Sequence, residues 1–281
     1  MHRSCACLIG FFASSQILEA SVVEPLSLAN LDVYSGGNLV VGWNATIDGS
    51  AGARGSLQLA DQATVSGDLY AGGAIQTGWH SAFGAAYDQL ATEVFDMLAV
   101  PAADTASRGG DYVAAMSHDV LQLAPGAYGD VSAAWQGNLA LSAGEYYFDS
   151  LFLGDESRMN IDTSLGDVLI YVAGNVQLAW NSQVRRTGGG GALVSAGGSL
   201  QTADQSLLDA TLLAGGPVNL GWNSEITGQV YSQSDITLAS QAHIGGAALV
   251  SVPEPATVLL LGIGLLALSG RRSQRSRQVL N

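Results

Sequence analysis

Apolar and small residues recur every six positions along the C-terminal half of the chain. From Ile170, the six-residue step reaches only aliphatic or small residues as far as Ala248, and the step from Val172 to Val250 meets no charged residue. The two inward positions of each six-residue unit lie two apart, the period at which strand side chains share a face. A helix would need a period of about 3.6 residues. The pattern therefore predicts short β-strands whose first and third positions point inward.

Three of these units form a larger repeat. Similar segments begin at Leu200, Val218 and Ile236, each of them three units after the last. Three six-residue sides that close into a triangle predict a parallel β-solenoid, in which each coil lies about 4.8 Å above the last. The predicted fold is thus all-β, a single-stranded parallel β-helix with triangular 18-residue coils. We favour a right-handed helix, because parallel crossovers are overwhelmingly right-handed.

A first array with the same spacing lies nearer the N-terminus. Leu39, Leu57 and Ile75 repeat the three-unit interval, and the pattern from Val33 to Phe83 gives about three coils. Residues 111–168 follow the six-residue spacing of apolar residues less regularly, and we expect coils with bulges or longer corners there.

Between the arrays, apolar residues change to a helical spacing. Tyr87, Leu90, Val94 and Phe95 follow this spacing, and neither Gly nor Pro interrupts residues 85–100. The pattern predicts one inserted amphipathic helix over about 83–100, which lies on the solenoid or caps one of its ends.

The N-terminus has the features of an export signal. Residues 1–20 place Arg3 before an apolar run and are predicted to be a secretory signal peptide. Cys5 and Cys7 are the only cysteines and lie inside it, so the mature protein is expected to have no disulfide. The solenoid domain would then occupy residues 21–252.

The composition changes abruptly after Val252. Residues 253–281 hold, in order, Pro253, Glu254, Pro255, an uncharged apolar segment over about 256–270, and an arginine cluster that begins with Arg271 and Arg272. The apolar segment predicts a C-terminal hydrophobic, transmembrane helix. The arrangement resembles the PEP-CTERM sorting signal of Gram-negative bacteria. That resemblance implies processing by an exosortase, transient anchoring in the inner membrane and transfer to the cell surface or the extracellular space. A plain membrane anchor is the alternative.

The body of the chain is also similar to known solenoids. Its Gly-Gly-x-aliphatic units with Trp-Asn corners are similar to bactofilin-like and choice-of-anchor-A-type bacterial β-solenoids, and the bactofilin resemblance implies a right-handed helix. The 18-residue coil also resembles left-handed hexapeptide solenoids. Those would imply one dominant aliphatic residue per unit, whereas two positions are apolar here.

Charge narrows the range of partners. The chain has no lysine, and half of its ten arginines lie outside residues 21–252, as do Glu19 and Glu254. The remaining arginines and acidic residues give the 21–252 segment a formal charge of −17. Such a surface repels nucleic acid and anionic lipid, so neither is an expected partner.

Four tryptophans occupy the fifth position of a six-residue unit, each followed by Asn or His. They are Trp43, Trp79, Trp180 and Trp222. The amides that follow them can stack from coil to coil in hydrogen-bonded ladders. Tryptophans at a corner would be partly exposed, and two interpretations remain open: packing at the corner or beneath the helix, and stacking on sugar rings.

Catalytic and metal-binding patterns are weak. The middle region holds four acidic residues that we considered as a calcium site, namely Asp149, Asp155, Glu156 and Asp162. No EF-hand spacing supports this site, and the histidines have no zinc-binding pattern. Phosphate-loop, dinucleotide and Gly-x-Ser-x-Gly motifs are also absent from the sequence, so we predict no cofactor.

The sequence thus predicts a secreted, surface-sorted structural or adhesive protein of the extracellular matrix or biofilm, without enzymatic activity. The alternative is a glycan-binding module that uses its tryptophans, with extracellular polysaccharide as partner. A polysaccharide-active β-helix enzyme is a third possibility, because sequence alone does not exclude a pair of catalytic acids.

Overall fold

The protein is a solenoid of short parallel strands. The computed structural model describes residues 30–91, 94–95 and 109–245. Their strands form three parallel sheets of ten, ten and nine strands, which we name A, B and C. This architecture confirms the predicted parallel β-solenoid. The handedness remains a prediction.

Nine strands belong to the N-terminal array. They are β1 (Val33–Ser35), β2 (Leu39–Val41), β3 (Thr46–Ile47), β4 (Ala51–Ala53), β5 (Leu57–Leu59), β6 (Thr64–Val65), β7 (Leu69–Ala71), β8 (Ile75–Thr77) and β9 (Ala86–Tyr87).

Twenty strands follow in the C-terminal array. They are β10 (Val113–Ala115), β11 (Val120–Leu123), β12 (Gly126–Ala127), β13 (Asp130–Ala133), β14 (Asn138–Ser142), β15 (Gly144–Phe148), β16 (Ser150–Leu153), β17 (Arg158–Asp162), β18 (Val168–Val172), β19 (Val176–Leu178), β20 (Gln183–Thr187), β21 (Ala192–Ala196), β22 (Leu200–Thr202), β23 (Leu207–Leu208), β24 (Thr211–Ala214), β25 (Val218–Leu220), β26 (Glu225–Thr227), β27 (Val230–Ser232), β28 (Ile236–Leu238) and β29 (His243–Gly245).

The coils do not stack in the order of the chain. Sheet A runs β12-β15-β18-β21-β24-β27-β1-β4-β7-β9, sheet B runs β10-β13-β16-β19-β22-β25-β28-β2-β5-β8, and sheet C runs β11-β14-β17-β20-β23-β26-β29-β3-β6. The N-terminal array therefore extends the C-terminal end of the second array, with Val33 paired to Val230 and Leu39 to Ile236. The middle coils, which begin with β10, therefore do not pair with the last strands of the first array. β9 and β10, which are consecutive strands in the chain, therefore lie at opposite ends of the stack.

The coil length varies where the sequence is less regular. Paired residues in adjacent coils lie 18 apart for Leu39 and Leu57 and for Val218 and Ile236. In the middle, the paired residues Val131 and Leu151 lie 20 apart, and Leu151 and Val176 lie 25 apart. These longer coils confirm the expected longer corners.

One 24-residue coil interrupts the uniform repeat predicted from Ile170 onward. Ile170 pairs with Val194, four units away, and the additional unit forms a loop over 188–191. Gly188 and Gly190, which the six-residue step reaches, therefore lie in this loop and not at inward strand positions. Glycine has no side chain to bury, and the φ of +103° at Gly188 is readily adopted only without a Cβ.

The interior is a continuous column of the predicted inward residues. The wider middle coils hold larger side chains, including Tyr146 and Phe148, which are almost fully buried. The Tyr146 hydroxyl donates to the Ser142 carbonyl at 2.9 Å and accepts the Ser142 N–H at 3.0 Å. Aromatic residues at these positions, unexpected for a narrow solenoid, therefore fill the larger cross-section.

The predicted helix over about 83–100 is only partly supported. Ala86–Tyr87 is strand β9, where Tyr87 pairs with Tyr70 and stacks on its ring at 5.2 Å. The β-ladder thus overrides the helical spacing at this end. Val94 and Phe95 are helical, and Phe95 packs beside Tyr34 on the outer side of sheet A, with ring centroids 6.4 Å apart. The described helical residues therefore lie on the flank of the solenoid.

The remaining predicted segments lie outside the described residues. These are the rest of the inserted helix, the signal peptide over 1–20 and the C-terminal hydrophobic helix over 256–270. In the ranges that the structure covers, no helix is long and apolar enough to cross a membrane.

Candidate functional site

One corner of the triangle has the same backbone conformation in every coil. This BC corner follows each strand of sheet B and leads toward sheet C, where nine of the ten corners are followed by a strand. Each of its ten turns contains a residue with φ between 51° and 66°: His118, Gln136, Glu156, Asn181, Gln205, Asn223, Gln241, Asn44, Gln62 and His80. Asn and His adopt this left-handed region more readily than most residues.

The corner is held by a ladder of backbone hydrogen bonds between coils. The residue with the left-handed conformation donates its N–H to a backbone carbonyl of the next coil. That carbonyl belongs to the residue just before the left-handed residue of the next coil. Examples run from Asn44 to Asp61 at 3.2 Å, and from Gln62 to Trp79 at 2.9 Å. Backbone geometry, rather than a side-chain amide ladder, is therefore the feature that these residues share. A side-chain bond does join Gln136 to Glu156 at 2.6 Å.

The position before the left-handed residue alternates between tryptophan and a small polar residue. In stacking order it is occupied by Ser117, Trp135, Asp155, Trp180, Asp204, Trp222, Ser240, Trp43, Asp61 and Trp79. We call these ten residues the tryptophan column. It contains all five tryptophans of the chain. The alternation continues across the junction of the two arrays, between Ser240 and Trp43.

The tryptophans are exposed for residues of their size. Their exposed fractions are 40% for Trp222, 42% for Trp43 and Trp180, 47% for Trp135 and 67% for Trp79. Rings two coils apart lie about 9.6 Å from each other along the axis. The corner therefore presents a row of regularly spaced aromatic groups to solvent.

The intervening aspartates position the tryptophan backbone. Asp61 accepts the Trp79 N–H at 2.7 Å, and Asp204 accepts the Trp222 N–H at 2.8 Å. Asp155 accepts the Trp180 N–H at 3.1 Å. In each case Oδ1 makes this bond. Part of the alternation thus has a local cause, since three of the five tryptophans have their N–H satisfied by the aspartate of the preceding coil.

A polar cleft adjoins the column on the side of sheet C. Its volume is about 400 Å³, and it is lined by His118, Val120, Gln136, Asn138, Glu156, Arg158, Asn181 and Gln183. The His118 ring meets the edge of Trp135 at 4.7 Å between centroids. The cleft places hydrogen-bonding side chains directly beside exposed aromatic rings.

Sheet B, on the other side of the corner, carries an uncharged column along the middle of its outer face, and Asp130 of β13 is the charged residue at the margin of that face. The column consists of Ala114, Ser132, Phe152, Gln177, Gln201, Asn219, Thr237, Val40, Gln58 and Gln76. This column is unusual in a chain with a net charge of −14.

Comparison with known families adds two findings. Residues 110–254 match the model of a domain of unknown function, DUF7305, and this is more than half of the chain. The chain belongs to the DUF7305 family. The match includes all of β10–β29, so the N-terminal array of this DUF7305 protein lies outside it. Residues 251–273 match the PEP-CTERM protein-sorting motif. The motif marks the protein for export, transient membrane anchoring and then the cell surface or the extracellular space.

The solved structures with a similar course of the chain include ice-binding proteins. One, from the Antarctic ascomycete Antarctomyces psychrotrophicus, has 13% identity and a TM-score of 0.41, with 79% of this chain and 96% of that chain covered. A glycosylated ice-binding protein from an Arctic yeast has 14% identity and a TM-score of 0.40, with 81% and 94% covered. A domain from Shewanella frigidimarina has 15% identity and a TM-score of 0.34, with 80% and 99% covered. At these scores the likeness carries no conclusion about a ligand. No curated protein has a matching sequence.

The structure brings the four predicted tryptophans of this DUF7305 protein into one column and adds Trp135. The sequence signal for Trp135 was the amide of Gln136 directly after it, as in the Trp-Asn pairs at Trp43, Trp180 and Trp222. The longer coil that follows hides the 18-residue spacing and explains why it was missed.

The acidic residues considered for calcium are not brought together. Asp149 lies between sheets A and B, Asp155 and Glu156 lie at the BC corner, and Asp162 ends a strand of sheet C. Hydrogen bonds from the Ser164 hydroxyl and N–H lower the pKa of Asp162. Among the described residues, no group of three or more His, Cys, Asp or Glu side chains is arranged to hold a metal ion.

Proposed function

We propose that this protein is a non-enzymatic adhesive protein of the extracellular matrix, which holds matrix polysaccharide on its tryptophan column. The observation that carries the proposal is the alternation of all five tryptophans with small polar residues along one exposed corner. The PEP-CTERM motif supports it by directing the protein to the compartment where such polysaccharides occur.

The chemistry of the corner suits sugars. The C–H faces of a sugar ring pack on an indole, whose large apolar surface is held here at little conformational cost. Sugar hydroxyl groups both donate and accept hydrogen bonds, and amide side chains such as Asn44 and Gln62 offer both functions beside the rings.

The competing interpretation is that the tryptophans serve only to pack the corner. Exposed fractions of 40–67% argue against it, because a ring that fills a corner would be largely shielded. The left-handed turn and its backbone ladder also occur at Gln205 and Gln241, where Asp and Ser replace tryptophan. The corner therefore does not need tryptophan to form.

The test is a double variant, Trp43→Ala with Trp79→Ala, measured for affinity to polysaccharide purified from the matrix of the producing cells. Each ring should contribute about 1 kcal/mol, so the variant should bind about tenfold more weakly or worse. The matched control is Leu165→Ala, which removes a large apolar side chain that is 91% exposed and lies outside the corner.

We expect both variants and the parent to unfold cooperatively. If the double variant folds and binds as tightly as the parent, or if the parent binds no matrix polysaccharide, the proposal is wrong. New reducing ends formed during incubation would contradict the non-enzymatic assignment.

A further inference from the structure

The spacing of the tryptophan column carries information about its ligand. We infer that the column takes a neutral, extended β-1,4-linked polysaccharide, laid parallel to the solenoid axis with one tryptophan for each disaccharide. The inference rests on the proposed polysaccharide binding and specifies the ligand.

The first observation is the two-coil period. Trp135, Trp180, Trp222, Trp43 and Trp79 occupy every second coil without exception. The period holds even though paired positions of neighbouring coils lie 18 apart in some places and 25 apart in another. Five rings about 9.6 Å apart extend over about 38 Å along the solenoid axis, because strand spacing fixes the rise of each coil. The linear ligand must therefore present a similar face at the same interval.

An extended β-1,4-linked chain meets this requirement. Successive sugars are related by a twofold screw, so the same ring face returns at every second sugar, and the disaccharide repeat is close to the two-coil distance. An α-1,4-linked glucan curls into a helix and does not present a straight row of faces. The match is thus specific to the linkage geometry and less dependent on the substituents of the sugar.

The second observation is the polar group between successive rings. The coil between two tryptophans carries Asp155, Asp204 or Asp61, or a serine in the case of Ser240. These aspartates use Oδ1 for the tryptophan N–H of the next coil. Each carboxylate has a second oxygen that can accept from a hydroxyl of the alternate sugar, which is turned over relative to the stacked one.

The third observation is charge. Three aspartates within the column, and a charge of −17 on residues 21–252, disfavour an acidic polysaccharide through like-charge repulsion. The central outward column of the adjoining sheet B is uncharged and carries amides such as Gln58, Gln76 and Gln177. A neutral chain, or a flat bundle of neutral chains, is the ligand that this surface fits.

The binding experiment uses the folded exported protein and four probes. Insoluble cellulose and chitin present neutral β-1,4 chains, starch presents an α-linked chain, and alginate presents an acidic one. The protein should sediment with cellulose or chitin at concentrations at least tenfold lower than those needed for starch or alginate. Preferential binding to starch or alginate would overturn the inference.

The period is tested by exchanging two neighbouring residues of the column. The double substitution Asp204→Trp with Trp222→Asp keeps composition and charge but breaks the regular interval. It should weaken binding to the long chain about tenfold and leave binding of a disaccharide within about twofold of the parent, because one ring suffices for the short ligand.

A second pair of variants keeps the inference testable if the exchange impairs folding. Trp222→Ala removes the middle ring and leaves two pairs, whereas Trp79→Ala removes an end ring and leaves four in a row. Both lose one exposed indole, but Trp222→Ala should weaken long-chain binding several-fold more. Equal effects would show that the interval is irrelevant and overturn the inference.

These outcomes separate the two proposals. If the Trp43 and Trp79 double variant loses binding to a matrix polysaccharide while the interval variants do not differ, the adhesive function stands and the ligand assignment fails. If no polysaccharide binds the parent protein, both proposals fail.

Discussion

Replacing Leu220 with Ala tests the inward assignment on which the fold depends. Leu220 is 3% exposed, pairs in register with Leu238 of the next coil, and follows Asn219, which pairs with Gln201. The substitution removes three carbon atoms, worth about 2.4 kcal/mol at roughly 0.8 kcal/mol for each methylene. The cavity adds to this, because the β-ladders on both sides prevent the coils from closing together. The total cost should lie within about 2–5 kcal/mol.

Guanidinium denaturation of the purified solenoid measures this cost. With an m-value of roughly 5 kcal/mol/M, the midpoint should fall by about 0.4–1 M with little change in slope. The control is Asn219→Ser, one residue away on the exposed face, which should alter stability by no more than about 0.5 kcal/mol. If Leu220→Ala were as mild as the control, position 220 would not face the interior and the predicted register would be wrong.

Two further predictions concern sorting and alkaline stability. Protein recovered from the surface of an exosortase-bearing host should lack Arg277, because we expect the sorting signal to be cleaved near Pro255. Mass spectrometry that detects an intact C-terminus in the surface protein would refute processing. Burial, with a smaller contribution from the Asp32 carboxylate, raises the pKa of Tyr231, whose hydroxyl donates to the Leu31 carbonyl at 2.9 Å. An unfolded tyrosine ionises near pH 10, so the stability of the parent should fall above about that pH, where only the unfolded state loses this proton. The Tyr231→Phe variant should be less stable than the parent at pH 8, but its stability should decline less steeply above pH 10. Denaturation at several pH values measures both, and parallel curves of stability against pH for variant and parent would contradict this assignment.

The repeating part of the fold could be predicted because its physics is local in sequence. Positions two apart share a face of a strand, and a six-residue side returns the chain to the next corner, so the buried positions around Val218 and Leu220 follow from counting. The six-residue step assigned the wrong position to Gly188 and Gly190. The six-residue step continues through them, but a glycine loop takes the place of a strand.

The order of the coils could not be predicted because a solenoid edge accepts any similar coil. Leu39 pairs with Ile236 on one side and with Leu57 on the other, and the two contacts are chemically alike. Nothing in the sequence around Leu39 distinguishes a neighbour in the next repeat from one near the far end of the solenoid domain. The predicted start of the helix was wrong for a related reason. The spacing of apolar residues near Tyr87 suits a helix, but the unpaired edge of the strand that contains Tyr70 could form backbone hydrogen bonds with this segment, which is therefore a strand.

The tryptophan column shows why the stacking order matters for function. Read along the chain, the tryptophans are unevenly spaced, because two regular coils separate Trp43 from Trp79 but the whole connection between the arrays separates Trp79 from Trp135. Read along the stack, they fall on every second coil, and an aspartate or serine fills each intervening turn. The aspartates account for part of this order, because each caps the N–H of the next tryptophan. They do not account for the exposed indoles, since the turn at Gln241 forms with Ser240 in the same position. A regular, exposed aromatic row that the fold does not require therefore supports the proposal of a ligand with the same period.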